Sequence, residues 1–192
     1  MSQNQKVRDL VYIAVFTAII AVLAQISIPM PGGVPMTLQT FAVPLAGLVL
    51  GTKRGTLSAL LYVLLGTLGV PVFAGLSGGP GIVLGVTGGF IVSFPIMALL
   101  AGLGRSYSDR MAAGAVRGYA VLIAFLILGA VANYIVGMIW FSVVTGGSLT
   151  EAFALCVAPF IPTSIIKIIL VSWIGPLLRS VLIRAHVLEP AV

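Results

Sequence analysis

Lys167 lies in the apolar run IIKIILVSW, and Ser164 stands three residues before it. On a helix these two side chains share a face. An ammonium inside an apolar span is disfavoured by roughly 2.5–3.5 kcal/mol on insertion scales, so it has a partner or a task. The preceding Pro159-Phe160-Ile161-Pro162 predicts a helix start near Ile161, with Pro162 in its first turn. The unpaired N–H groups and positive dipole end of that helix then lie close to Lys167. A hydroxyl, an ammonium and a helix N-terminus converging make a carboxylate site. A lysine whose stem snorkels to the outer interface fits the same residues, and both readings stand at this point.

Two further stretches carry polar or flexible chemistry. Pro29–Thr40 reads PMPGGVPMTLQT, with three prolines for stiffness and Gly32-Gly33 as a joint. Its hydrogen-bonding side chains are Thr37, Gln39 and Thr40, and an extended strand would set Thr37 and Gln39 on one face. An ordinary surface turn is the plain alternative. Val70–Phe90 holds six glycines between Gly78 and Gly89. Such glycines let backbone approach either a ligand or a neighbouring helix, and the residues alone do not choose. Glu151–Ala158 reads as a short surface helix.

Enzymatic chemistry finds little to work with. General acid–base or nucleophilic catalysis needs paired carboxylates, a Ser–His pair or metal ligands. No Asp, Glu or His falls within an apolar span, and the single histidine, His186, sits in a solvated tail. Cys156 is the single cysteine, which excludes an intramolecular disulfide and predicts a small packing residue. Gly47–Lys53, GLVLGTK, lacks the spacing of a phosphate-binding loop, so any ATP must be bound by another subunit.

The elements that hold these residues are membrane helices. The chain is 60% hydrophobic and 7% charged. No stretch is polar enough for a soluble domain, so residues 1–192 read as a single transmembrane domain. Six spans are expected at Leu10–Ile28, Met36–Thr52, Gly55–Val70, Ile82–Gly104, Tyr119–Val144 and about Ile161–Leu178. The second and third are short and should sit partly inside the bundle. Lys6, Arg8, Lys53, Arg54, Arg105, Arg110, Arg117, Arg179 and Arg184 then share one side, where both termini also lie. That side is cytoplasmic by the positive-inside rule. The net charge of +6 is spread in short clusters between spans, which speaks for topology and against nucleic acid. A cleavable signal peptide ending near Val22-Leu23-Ala24 leaves this charge pattern unchanged; retention is favoured because the segment is span-length and runs straight into the next.

Four segments together resemble the BioY family, the biotin-capturing S components of energy-coupling-factor (ECF) vitamin transporters. They are PMTLQTF (Pro35–Phe41), VPVF (Val70–Phe73), TGGF (Thr87–Phe90) and PFIPTSIIK (Pro159–Lys167). The resemblance runs over essentially the whole chain, in order. It implies an all-α integral membrane protein with six transmembrane helices in an S-component-like bundle and a pocket covered by the first outer loop. It implies biotin as ligand with no cofactor, a prokaryotic plasma membrane, and an ECF transmembrane coupling subunit with two ATPase subunits as partners. On this resemblance Lys167 binds the valerate carboxylate or anchors a polar network around the ligand. Asn133, Tyr134 and Ser164 line the pocket, Thr37 and Gln39 are lid contacts, and Thr87 and Gly88 belong to the binding wall. Ala14 and Ala18 match the AxxxA pattern of the family's docking surface. The family usually has Asp where Ser164 stands and Pro where Val86 stands. The first change removes an acceptor for a ureido N–H or for the lysine, a loss that either Ser164 itself offsets more weakly or Asn133 on the fifth span offsets. An S component for another small vitamin or carboxylate is the nearest alternative; an intramembrane enzyme or a ligand-free assembly subunit is a more distant one.

Overall fold

The computed structural model describes residues 3–111 and 116–188. Chain order is α1 (Gln3–Ala24), β1 (Ser27–Ile28), β2 (Met36–Thr37), α2 (Gln39–Leu50), α3 (Thr52–Thr67), α4 (Pro80–Leu84), α5 (Gly88–Val92), α6 (Phe94–Arg110), α7 (Val116–Thr145), α8 (Leu149–Cys156) and α9 (Ile161–Arg184). A single 3₁₀ turn, Ala158–Phe160, separates the last two. Among the described residues, four stretches are long and apolar enough to cross a membrane: Gln5–Ala24, Gly88–Arg110, Val116–Thr145 and Leu149–Arg184.

Several boundaries differ from the sequence expectation, each for a local reason. The first helix stops at Ala24 and not at Ile28, because Ser27 and Ile28 pair antiparallel with Thr37 and Met36. Met36 and Thr37 therefore belong to a small hairpin, and α2 begins only at Gln39. The expected span Ile82–Gly104 is broken into α4, α5 and α6, with Gly85 and Ser93 at the breaks. The end of the chain follows the proline signal: α9 opens at Ile161 with Pro162 in its first turn, and it runs on to Arg184.

The centre of the bundle is α2. It is apolar on every side, and such a helix is stable only when surrounded. Ala42 through Leu50 are all buried. Close approach makes that possible. A Cβ added at Gly47 would lie 2.1 Å from the Ala98 carbonyl oxygen of α6, and one at Gly55 of α3 would lie 2.4 Å from the Gly47 Cα. Small residues let three backbones meet, the usual packing device where no water drives helices together.

One end of the bundle is tied by charge. Asp9 pairs with Arg54 at 2.7 Å, joining α1 to α3, and Arg105 pairs with Asp109 at 2.6 Å one turn along α6. Arg179 of α9 donates from Nη1 to the Val49 carbonyl at 2.6 Å, in the last turn of α2.

Candidate ligand-binding site

At the opposite end of α2 the helices part around a cavity of about 330 Å³. That lies within the range of small-molecule sites, about 300–1,000 Å³. Gly33, Val34 and Pro35 of the first loop, Ala74 and Ser77 of the α3–α4 loop, and Gly81 line part of it. Phe73, Ile82, Phe90, Ile91 and Phe94 give it apolar walls, while Thr40, Asn133, Tyr134, Ser164 and Lys167 give it a polar floor. These last five also border a void of about 10 Å³ beside Met97, Ala130 and Ile168, so they form one contiguous group.

Lys167 is buried, 9% exposed. Six residues into α9, its Nζ donates to the Thr37 carbonyl at 2.6 Å and to Thr40 Oγ1 at 2.9 Å. It therefore does not snorkel. An ammonium has three N–H donors, and the third has no partner among the described residues. No described carboxylate pairs with it either. Beside it, the Tyr134 and Ser164 hydroxyls meet at 2.5 Å and join α7 to α9.

Asn133 is 2% exposed and half a helix deep in α7. Its Nδ2 donates to the Phe90 carbonyl at 2.9 Å and to Ser93 Oγ at 2.7 Å. A carbonyl oxygen can only accept, so the orientation of the amide is fixed. Both N–H groups are thereby committed to α5 and its C-cap, and Oδ1 is left without a partner among the described residues. The floor thus offers a donor, Lys167 Nζ, beside an acceptor, Asn133 Oδ1.

Thr37 and Gln39 line the cavity, but their side chains are bonded first to protein. The Thr37 hydroxyl donates to Gln39 Oε1 at 2.7 Å, and the Gln39 backbone N–H returns to Thr37 Oγ1 at 3.2 Å. Gln39 Nε2 donates to the Tyr62 hydroxyl at 2.5 Å, and Tyr62 donates to the Val72 carbonyl at 3.0 Å. Both residues are buried. They hold the first loop down as much as they face a ligand.

The glycine-rich stretch divides between the two readings. Thr87 lines the cavity and donates to the Ile82 carbonyl at 3.2 Å. Gly88 is not on the lining: a Cβ there would lie 1.7 Å from the Val83 carbonyl oxygen and 2.8 Å from Trp140 Nε1. Gly88 is small because the α4 backbone and Trp140 press on it, and its neighbour Gly89 because α7 does. Ala14 and Ala18 are far from the floor in kind as well as place. Both are exposed on α1, on the side opposite buried Phe16 and Ile20.

Three participants escaped the sequence. Thr40 is visible there as a polar residue, but nothing in sequence links it to Lys167, 127 positions away. Tyr62 reads as one more aromatic in a span. Phe73 is fixed by packing: its ring stands edge-on to Tyr62 at 5.5 Å and covers Gly66, where a Cβ would approach it to 2.1 Å. Among the described residues no group of His, Cys, Asp and Glu could hold a metal. Cys156 is fully buried against α7 and the first loop.

Comparison with known proteins agrees with this architecture. A solved crystal structure of the S-component for biotin from an ECF-type ABC transporter superposes with a TM-score of 0.81 at 33% identity, covering 94% of this chain and 95% of that one. The probable biotin transporter BioY of Pyrococcus horikoshii is 46% identical over 162 residues, 84% of this chain and 90% of its own length. The biotin transporter BioY of Thermotoga maritima is 36% identical over 176 residues, 90% of this chain and 96% of its own. The model of the BioY family matches residues 1–184. With a family match across nearly the whole chain and a cavity in the corresponding fold, this protein belongs to the BioY family, a family of transport proteins and not of enzymes.

Proposed function

We propose that this chain is the membrane-embedded biotin-binding subunit of an ECF-type uptake transporter in a prokaryotic plasma membrane. The observation that carries the reading is the polar floor, where one unpaired ammonium donor and one unpaired amide acceptor lie together beneath apolar walls. Biotin has a ureido head with a carbonyl acceptor beside N–H donors, an apolar thiophane ring and a valerate chain. Lys167 Nζ donates to the ureido oxygen, and Asn133 Oδ1 accepts a ureido N–H. Phe73, Phe90 and Phe94 surround the ring, and the carboxylate points toward Gly33 and Ser77. A carboxylate on the floor would meet the Asn133 oxygen, which repels it, so of the two roles for Lys167 we favour the polar network around the head. Asn133 thereby supplies an amide acceptor in place of the carboxylate that Ser164 lacks.

In the membrane, α1, α2, α3, the α4–α6 unit, α7 and α9 serve as the six helices of the bundle. The cationic residues at the Arg179 end face the cytoplasm together with both termini. Ala14 and Ala18 on the open face of α1 receive a transmembrane coupling subunit, whose two ATPase subunits supply the energy this chain cannot.

Equilibrium binding tests the reading. The purified chain is expected to bind biotin and the uncharged amide of biotin with affinities within about tenfold of each other, since the floor reads the head. Absence of biotin binding overturns the function. Binding of biotin with complete loss of the amide overturns the orientation and returns Lys167 to the carboxylate.

A further inference from the structure

Gln25 stands just past the end of α1 and commits its side chain to a single loop. Its Nε2 donates one N–H back to the Ala21 carbonyl at 2.9 Å and shares the other between the Phe73 carbonyl at 3.1 Å and the Val72 carbonyl at 3.3 Å. Its Oε1 accepts the Leu76 N–H at 2.8 Å. One amide therefore fixes Val72, Phe73 and Leu76 at once.

The loop it grips is a tight turn with an internal cost. Phe73 and Ser77 form an antiparallel bridge, closed by the Phe73 N–H on the Ser77 carbonyl at 2.9 Å. Between them Gly75 has φ +70° and Leu76 φ +53°. Glycine accepts the left-handed region freely, whereas a leucine there crowds its Cβ against the following carbonyl. Leu76 stays because its N–H is held. From this same turn Phe73, Ala74 and Ser77 face the cavity.

We propose that Gln25 is a positioning residue of the binding site: it holds the Val72–Ser77 turn in the conformation that completes the cavity wall, without touching the ligand. It is also the outer end of a series of hydrogen-bonded residues, in which Thr37 links its neighbours through its hydroxyl on one side and its own carbonyl on the other. The Val72 carbonyl that accepts from Gln25 accepts from Tyr62 as well. From Tyr62 the chain runs through Gln39 and Thr37 to the Lys167 ammonium. The wall and the floor are thus set by one network that starts at α1. The ligand half of this proposal rests on the biotin reading; the conformational half does not.

The test uses Gln25→Met, which keeps the length of the side chain and removes both kinds of hydrogen bond. In ligand-free protein, hydrogen exchange at the Phe73 and Leu76 amides is expected to speed by about tenfold or more, with α6 and α7 unaffected. Biotin affinity is expected to fall about tenfold. Adding Leu76→Gly to the Gln25→Met protein should recover most of that affinity, because glycine takes the left-handed conformation unaided. A general packing defect would not be rescued in this way. Unchanged exchange, unchanged affinity, or a loss that Leu76→Gly fails to relieve overturns the proposal. If the wild-type chain binds no biotin, the biotin reading falls and the exchange measurement decides Gln25 alone: faster exchange upholds its hold on the turn, and unchanged exchange refutes it.

Discussion

Two buried cations on α9 grip the two ends of α2, and they stand in opposite electrical surroundings. Arg179 reaches the Val49 carbonyl in the last turn of α2, the negative end of that helix. A cation there is stabilised by the dipole, by about 0.3–1 kcal/mol in ordinary cases. Asp109 lies within electrostatic reach and attracts Arg179, against the repulsion of the neighbouring Arg105 and Arg54. Lys167 reaches the Thr37 carbonyl just before α2 begins, at the positive end, with no described carboxylate beside it. Arg179 thus sits at the favourable end of α2 with a carboxylate within reach, whereas Lys167 sits at the unfavourable end with none described. A buried charge of the first kind serves stability, and one of the second kind is what a binding site leaves for its ligand.

The largest expected effect comes from a change that touches neither end. Replacing Ala14 and Ala18 together by Trp alters only the open face of α1. ATP-dependent biotin uptake by the assembled transporter should then fall to background, with biotin binding by the isolated chain intact. Lost binding in the double variant would mean that these alanines support the bundle itself. Next comes the direct contrast. Lys167→Met should weaken biotin binding about 100-fold or more, as for truncating one partner of a buried charged contact, with no loss of thermal stability. Arg179→Met should do the reverse, lowering stability by about 1–3 kcal/mol while sparing the affinity of folded protein. If Arg179→Met lost binding at unchanged stability, the distinction between the two ends would be gone. The smallest effect is the sharpest in meaning. Ser164→Asp gives Lys167 the carboxylate neighbour it lacks. With the neutral head of biotin on the floor, affinity should rise a few-fold, by roughly the net value of one ordinary hydrogen bond, since the new carboxylate is shared with Lys167. A fall in affinity would show that the new carboxylate competes with that of the ligand.

Much of this arrangement is legible in the sequence because its signals are local. Pro162 announces the start of α9, and Ser164 three residues before Lys167 announces a shared face. The long apolar runs announce α1, α7 and α9. What sequence leaves out is pairwise and distant. The Thr37 carbonyl is a backbone atom that no residue type reveals, and Thr40 meets Lys167 only because α2 and α9 pack together. Gly88 and Gly89 show the same limit from the other side: a glycine records that something comes close, and only the fold says that it is the Val83 carbonyl and Trp140 and not a ligand. The break of the fourth span follows from Gly85 and Ser93, but composition alone cannot distinguish a glycine that interrupts a helix from one such as Gly47 that lets it pack.

The lengths of α3 and α7 carry a consequence for the lipid around the protein. At 1.5 Å per residue, α7 with 30 residues is about 45 Å long and α3 with 16 residues about 24 Å. A hydrocarbon layer is about 30 Å thick. Leu57, Leu60 and Leu64 turn outward from α3, so acyl chains on that flank meet a short apolar wall, whereas α7 exceeds the layer and must tilt or stand proud of it. In the proposed six-helix bundle the bilayer would thin beside α3, while α7 would be accommodated by tilt. Reconstitution in short-chain lipids therefore relaxes the α3 flank, and the protein's preferred tilt becomes a property of the membrane as much as of the chain.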